Sequence, residues 1–274
     1  MTISAGKELG MGTRASGSED SRSLPQRYAD VKERIAQAAE RSGRAGSDVV
    51  LVAVTKYAGI DAIRTLIELG HEDFGESRVQ NLEKRVAVVN EFLQRHRDMP
   101  VGKAVSIPER VRWHMIGHLQ RNKARKIVKH VRLVHSVDSL RLVEELHAAA
   151  GRVDEPIELL IQVKLDNEKK KHGVAPAAVI HLLDQIDTMI GLRARGLMCM
   201  APEVEDPETV RPVFVRCAEL FEEIRRVGAG GERFDILSMG MSNDFEVAIE
   251  CGANVVRVGS AIFGSDSSVS PDEA

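Results

Sequence analysis

A single parallel (β/α)8 barrel with one extra helix in front is the fold class that this 274-residue sequence predicts. The run Val49-Val50-Leu51-Val52-Ala53-Val54-Thr55 is continuously apolar rather than alternating, the mark of a strand buried on both faces of a parallel sheet. Eight strand segments of this kind alternate with helical segments along residues 25–264. The turn after the first strand, Thr55-Lys56-Tyr57-Ala58-Gly59, lacks the glycine-rich fingerprint of a doubly wound sheet, and eight units in this length fit a closed barrel.

In chain order, residues 25–41 read as the leading helix, with Tyr28, Val31, Ile35, Ala38 and Ala39 on one face and Ser42-Gly43 as its stop. The first strand covers 49–55, followed by a helix over 60–69. A short strand spans 73–76 and a long helix 77–93, and residues 97–110 form a loop insertion. A strand over 111–116 precedes a helix over 120–129, then a strand over 133–135 and a helix over 139–150. A strand over 157–163 leads to a helix over 176–185, whose Pro176 suits a first turn. Strand 192–198, helix 207–227, strand 236–238, helix 242–251, strand 254–257 and a short helix over 260–263 complete the pattern. Residues 1–24 are rich in Gly, Ser and Thr, have no apolar core for a signal peptide, and read as a disordered tail. Residues 265–274 read as a second flexible tail.

Composition narrows the function. A net charge of -3 gives no reason to expect nucleic acid or an anionic membrane as a partner. Three scattered cysteines, Cys199, Cys217 and Cys251, suit reduced thiols in a cytoplasm and lack zinc-site spacing. No apolar run reaches membrane-span length, so a soluble protein is expected.

In a barrel the chemistry gathers where strands end at their carboxyl side. Those ends are Lys56, Gly75-Glu76-Ser77, His114 to Gly117, Lys164, Met198-Cys199-Met200, Ser238 to Ser242, and Arg257-Val258-Gly259-Ser260. The last two are rich in small residues and each opens a helix, a pattern suited to an anion because unpaired N–H groups point outward there. Ser242 or Asn243 could equally be an ordinary cap, with Glu246 completing a capping box. Lys56 is either a charge reaching for water or an amine awaiting a carbonyl. An amine opposite a phosphate cradle suggests a sugar-phosphate aldolase or a pyridoxal 5'-phosphate (PLP) protein. Arg257 is either a structural ion pair or a cation at a pyridine nitrogen, where it would leave that nitrogen unprotonated.

The motifs Leu51-Val-Ala-Val-Thr-Lys56, Phe74-Gly-Glu-Ser-Arg-Val-Gln80, Trp113-His-Met-Ile-Gly-His-Leu-Gln-Arg-Asn-Lys123, Gly196-Leu-Met198, Leu237-Ser-Met-Gly-Met-Ser-Asn-Asp244 and Val256-Arg-Val-Gly-Ser-Ala-Ile-Phe-Gly264 occur in that order. Together they resemble the PLP homeostasis protein family, the YggS and PROSC proteins, over roughly residues 27–264. The resemblance implies a barrel like the alanine racemase N-terminal domain, with PLP held as a reversible Schiff base on Lys56. It also implies phosphate binding by Ser238, Ser242, Gly259 and Ser260, Arg257 facing the pyridine nitrogen, and Met198 and Met241 packing near the ring. Ser77 stands where Asn or a similar residue is usual, Ser260 where Thr is common, and His118 where Pro often follows the glycine.

The family resemblance implies a role in intracellular vitamin B6 and amino-acid homeostasis, with PLP-dependent apo-enzymes as candidate recipients. A small PLP-dependent racemase or lyase using Lys56 as its base is the alternative. Racemisation needs acid–base groups on both faces of the reacting carbon. In alanine racemase the second is a tyrosine from a C-terminal β domain, and only residues 265–274 follow the last barrel segment here. The expectation is therefore no turnover, no catalytic residue, no metal ligand, and a monomer or weak homodimer. His114 and His118 read as structural or substrate-facing. The basic run Arg121, Lys123, Arg125, Lys126 and Lys129 reads as a solvated face. Lys171 and Gly173 match a family loop motif, and Gly228-Ala229-Gly230-Gly231 reads as a turn on the face away from the site.

Overall fold

The computed structural model describes residues 22–99, 106–165 and 172–264. Eight parallel strands close on themselves in sequence order. They are β1 (Val50–Val54), β2 (Asp73–Glu76), β3 (Arg112–Met115), β4 (Val131–Val137), β5 (Ile157–Gln162), β6 (Leu192–Met198), β7 (Ile236–Ser238) and β8 (Val255–Val258). The helices are α1 (Leu24–Arg41), α2 (Ile60–Glu68), α3 (Val79–Arg97), α4 (Ala124–Ile127), α5 (Leu140–Ala150), α6 (Val179–Asp187), α7 (Arg211–Arg226), α8 (Phe245–Glu250) and α9 (Ser260–Phe263). The expected barrel and its extra leading helix are both present.

Each helix is held to the sheet by an apolar stripe. On α1 the predicted face, Tyr28, Val31, Ile35, Ala38 and Ala39, is the buried one. Its start is fixed by a capping box between Ser23 and Gln26, so the helix begins one residue inside the segment expected to be a tail. The strand β5 is buried at all six positions, as a strand covered by helices outside and filled inside must be.

Three expectations need correction. The helix expected at 120–129 is a 3-10 turn, Arg121–Lys123, and the short α4. Only Ala124, Ile127 and Val128 in that basic stretch are buried, too few apolar anchors for a longer helix. The helix expected from Ser242 starts at Phe245, and Asp244 rather than Ser242 or Asn243 is its N-cap residue. The third helix starts at Val79 rather than Ser77 and runs on to Arg97. Lys171, like the tails 1–21 and 265–274, lies outside the described residues. No helix among the described residues is long and apolar enough to cross a membrane.

The strand order puts β7, β8, β1 and β2 side by side. The ends singled out in the sequence, 238–242, 257–260, Lys56 and Ser77, therefore share one sector of the barrel's carboxyl rim.

Candidate functional site

Lys56 follows β1 directly and is partly exposed. Its Nζ stands 4.5 Å from the centre of the Tyr57 ring, and among the described residues it makes no ion pair. The backbone on either side of it is clamped. Arg85, from α3, donates to the carbonyl oxygens of Thr55 and Ala58, the latter at 2.8 Å. The same guanidinium pairs with Glu76 at the end of β2, and Glu76 accepts the Thr55 hydroxyl at 2.6 Å. Glu76 also accepts the backbone N–H of Ser77 at 3.1 Å, so one buried carboxylate organises both strand ends. The clamp leaves the lysine side chain free while fixing its origin.

Beside β1, the loop after β8 comes close. A side chain at Gly259 would put its Cβ 3.2 Å from the Val54 carbonyl oxygen, a tight contact that glycine avoids. The Ser242 hydroxyl accepts the backbone N–H of Gly259 at 3.1 Å and that of Ala261 at 3.4 Å. Ser242 thus ties the β7 loop to the start of α9, a long-range role rather than the local cap weighed as the alternative to phosphate binding. Gly240, with φ +89°, turns the chain ahead of it, and Asp244 accepts the Met241 N–H at 2.5 Å. Ser260 is exposed at the rim and Met241 is partly buried. Because α9 is a single turn, the anion-binding capacity here rests on individual N–H and O–H groups more than on a helix dipole.

Below the rim lies a polar column. Arg257 is buried and donates to the Ser238 hydroxyl at 2.6 Å and to the Cys199 carbonyl at 2.9 Å. Among the described residues it makes no ion pair, so Arg257 is not the structural salt bridge considered above. Ser238 is fully buried, engaged with Arg257 and with His135 Nδ1 at 3.0 Å rather than open at the rim. His135 Nε2 meets His114 Nδ1 at 2.9 Å, and His114 Nε2 meets Asp73 Oδ1 at 3.0 Å. Arg112 closes the column with two hydrogen bonds to Asp73, at 2.8 and 2.6 Å. A chain of polar contacts therefore runs through the barrel from the carboxyl end of the strands to their amino end. Met198 packs in the interior beside it, against Leu133 and Leu160.

Electrostatics follow from that burial. Loss of solvent pushes the His135 pKa well below its ordinary value, helped by His114 and Arg257 nearby. Burial likewise lowers Arg257. Burial works against the Asp73 carboxylate, but hydrogen bonds from Arg112 and His114 outweigh it and hold Asp73 well below the usual carboxylate range.

The residues expected at the site thus divide in two. Lys56, Ser77, Ser242, Gly259 and Ser260 follow adjoining strands at the rim, with Met241 beside Ser242. Arg257, Ser238 and Met198 sit deeper. Reading strand ends missed Arg85, Asp73 and His135. Arg85 had a signal, a charge on the apolar stripe of Leu82, Val86 and Val89. His135 had a weaker one, a polar residue two after Leu133 in an apolar strand. His114 and His118 do not work as a pair, since His114 belongs to the column and His118 to the opposite side of the rim.

The residues present fit a phosphorylated aldehyde with a ring nitrogen. They offer an amine without an ion partner, a hydroxyl that already collects two N–H groups in a glycine-floored loop, and a buried guanidinium with no carboxylate in ion-pair contact.

Comparison with known proteins points the same way. The family model for the alanine racemase N-terminal domain matches residues 28–267. A pyridoxal phosphate homeostasis protein of Aquifex aeolicus is 35% identical over 87% of this chain and 96% of its own. The pyridoxal phosphate homeostasis protein of Escherichia coli is 34% identical over 86% of this chain and 94% of its own. The solved structure of PipY from Synechococcus elongatus, with PLP bound, covers 88% of this chain and all of its own at TM-score 0.73 and 31% identity.

Proposed function

The chain belongs to the pyridoxal phosphate homeostasis proteins, built on the alanine racemase N-terminal domain, and from that premise we propose that it holds PLP reversibly through Lys56. PLP supplies an aldehyde that an amine takes up and releases, and a phosphate that anchors it. The observation that carries the reading is the pairing of an ion-free Lys56 amine with the Gly259 loop packed against its own strand.

Each residue then has a task. The Arg85–Glu76 clamp fixes the backbone on both sides of Lys56, so the amine swings from a rigid base. Ser242 and Ser260 bind the phosphate with their hydroxyls and the Ser260 N–H, Gly259 (whose own N–H is held by Ser242) lets the backbone approach, and Ser77 adds a polar edge at the neighbouring strand. Arg257 presents N–H donors and a positive charge to the ring nitrogen, which keeps a proton off it and weakens the ring's capacity to draw electrons. Ser238 serves by holding the Arg257 head in place. Met198 and Met241 supply apolar contact.

The same geometry favours a carrier over a catalyst. The sequence contains two tyrosines. Tyr28 meets buried His71 at 3.2 Å, and Tyr57 lies under the Lys56 amine itself. Neither stands as a second acid–base group across from Lys56. We place this role in the cytoplasm, in a monomer or weak homodimer, with apo forms of PLP-dependent enzymes as recipients.

Absorption spectra after addition of PLP test the assignment. Wild-type protein should develop the visible band of lysine-linked PLP, and Lys56→Ala should show only that of the free aldehyde. An unchanged band in Lys56→Ala would refute the role of Lys56. The carrier reading would fall if the loaded protein sustained exchange of the Cα proton of D- or L-amino acids in deuterated water.

A further inference from the structure

Across the rim from Lys56, three side chains from three different loops converge. His118 comes from the loop after β3, Asp138 from the end of β4 just before α5, and His172 from the segment after β5. His118 Nδ1 lies 3.2 Å from Asp138 Oδ2, and His172 Nδ1 lies 3.3 Å from the same oxygen. The two imidazole rings stack at 3.8 Å with 14° between their planes. One ligand atom from each residue falls within 4.8 Å of the others.

We propose that His118, Asp138 and His172 form a binding site for a divalent transition-metal ion of the zinc type. The spacing is the first argument. A charge-assisted N–H to carboxylate hydrogen bond spans about 2.7–2.9 Å, and both contacts are longer. A tetrahedral ion with bonds of about 2.0–2.1 Å separates its ligand atoms by roughly 3.3 Å, close to the observed 3.2 and 3.3 Å to Asp138. The two half-exposed rings must turn out of their parallel stack for both lone pairs to meet that ion. The donor set is the second. Two imidazoles and one carboxylate suit zinc, cobalt(II), nickel(II) or copper(II) better than calcium or magnesium.

The support behind these ligands is the third argument. The other oxygen of Asp138 accepts the Ser139 hydroxyl at 3.1 Å, which orients the carboxylate. The carbonyl of His172 accepts from the buried Gln162 side chain at 2.9 Å, and two backbone hydrogen bonds tie Val174 to the end of β5. Asp138 is largely buried while the two rings remain about half exposed, at 43% and 56%. Three protein ligands leave one position open, as in metal sites that also take water or an anion. That position faces a cleft of about 1100 Å3 whose lining includes Lys164, Arg121 and Arg141, cations suited to an anion arriving as the fourth ligand. The site shares no residue with the Lys56 sector.

Calorimetric titration of zinc chloride into the chelator-stripped full-length chain tests the proposal. Cobalt(II) binding, read from its visible bands, reports the coordination. One zinc per chain and a four-coordinate cobalt spectrum are expected. Ser139→Ala should weaken affinity roughly 10–100-fold, and His118→Ala or His172→Ala should weaken it at least as far. Zinc should raise the thermal midpoint of the wild type and leave that of His118→Ala unmoved, with circular dichroism confirming that each variant is folded. The proposal is overturned by absence of saturable zinc binding, by binding that survives the His118→Ala/His172→Ala double substitution, or by a cobalt spectrum of purely oxygen ligation.

Discussion

Arg85 and Arg257 are each only 4% exposed, yet the chain treats their charges in opposite ways. Arg85 meets a fully buried carboxylate, Glu76, and spends its remaining donors on the two carbonyls that flank Tyr57 and Lys56. Arg257 meets a hydroxyl and one carbonyl, and the Asp244 carboxylate acts on it only through the longer-range field, with no ion pair among the described residues. A buried ion pair with all its hydrogen bonds made is a structural part, and removing either half leaves the other charge stranded. A buried charge with no carboxylate in contact keeps its N–H donors and much of its field for something else. The contrast separates the frame that holds Lys56 from the group available to a ligand.

The largest test of that contrast falls on the frame. Arg85→Met should destabilise the fold by about 3–5 kcal/mol, because Glu76 is left charged and unpaired in the interior. Urea unfolding would measure it as a lower midpoint. Adding Glu76→Leu to the same protein should recover part of the loss, since the stranded charge goes with it. The recovery stays incomplete because the Ala58 carbonyl loses its donor, at about 1–3 kcal/mol for a buried unmade hydrogen bond, while the Thr55 carbonyl keeps the Ala58 N–H at 2.8 Å. If the single and double variants were equally unstable, the pair would not be the clamp described here.

Acid distinguishes the two regions next. Burial lowers His71 to about 4, and His135, beside Arg257, is also pushed far down. In both cases the unfolded chain binds a proton below about pH 6.5 that the folded chain refuses. Stability is therefore fully present above pH 6.5 and falls as the pH drops, by about 1.4 kcal/mol per unit for each such histidine. For His71 the total is about 3 kcal/mol by pH 4. Asp73 behaves in the other sense of charge. Its folded pKa is depressed, so its contribution persists above the ordinary carboxylate value and is lost only below about pH 4. Urea midpoints across pH 4–7 should show the histidine phase, and His71→Gln should flatten it by one proton's worth of slope. A slope identical to wild type would show that His71 takes up its proton in the folded state.

Much of the fold could be read directly, because a parallel barrel needs strands buried on both faces and these look unlike anything else. The spans of β6, β7 and α9 coincide with the apolar runs that foretold them. What local pattern cannot show is a partner far along the chain. The alternative weighed for Ser242, a helix cap, was local, whereas its hydroxyl serves N–H groups 17 and 19 residues away. His118 was weighed against His114, its neighbour in sequence, while its companions are Asp138 and His172 on other loops. The column from Asp73 to Arg257 uses β2, β3, β4, β7 and β8, and only the closed strand order brings those side chains into line. Arg257 itself was visible as a strand-end charge, but whether it had an ion partner was a question for three dimensions.

The smallest expected effect on stability is the sharpest test of the comparison. In Arg257→Gln an amide replaces the guanidinium and can keep one hydrogen bond, to Ser238 or to the Cys199 carbonyl. The bond it loses is worth about 0.5–1.5 kcal/mol net. Against that, an unpaired charge no longer has to be held away from water, which relieves a desolvation cost of several kcal/mol per ion in the general case. The two changes oppose each other, so the urea midpoint should stay within about 1 kcal/mol of wild type. The His135 pKa should rise, because one of the charges holding it down is gone. The spectrum of bound PLP should change as well, if Arg257 faces the ring nitrogen. A loss of stability as large as that of Arg85→Met, with an unaltered PLP spectrum, would make Arg257 a second structural arginine and erase the distinction between the two.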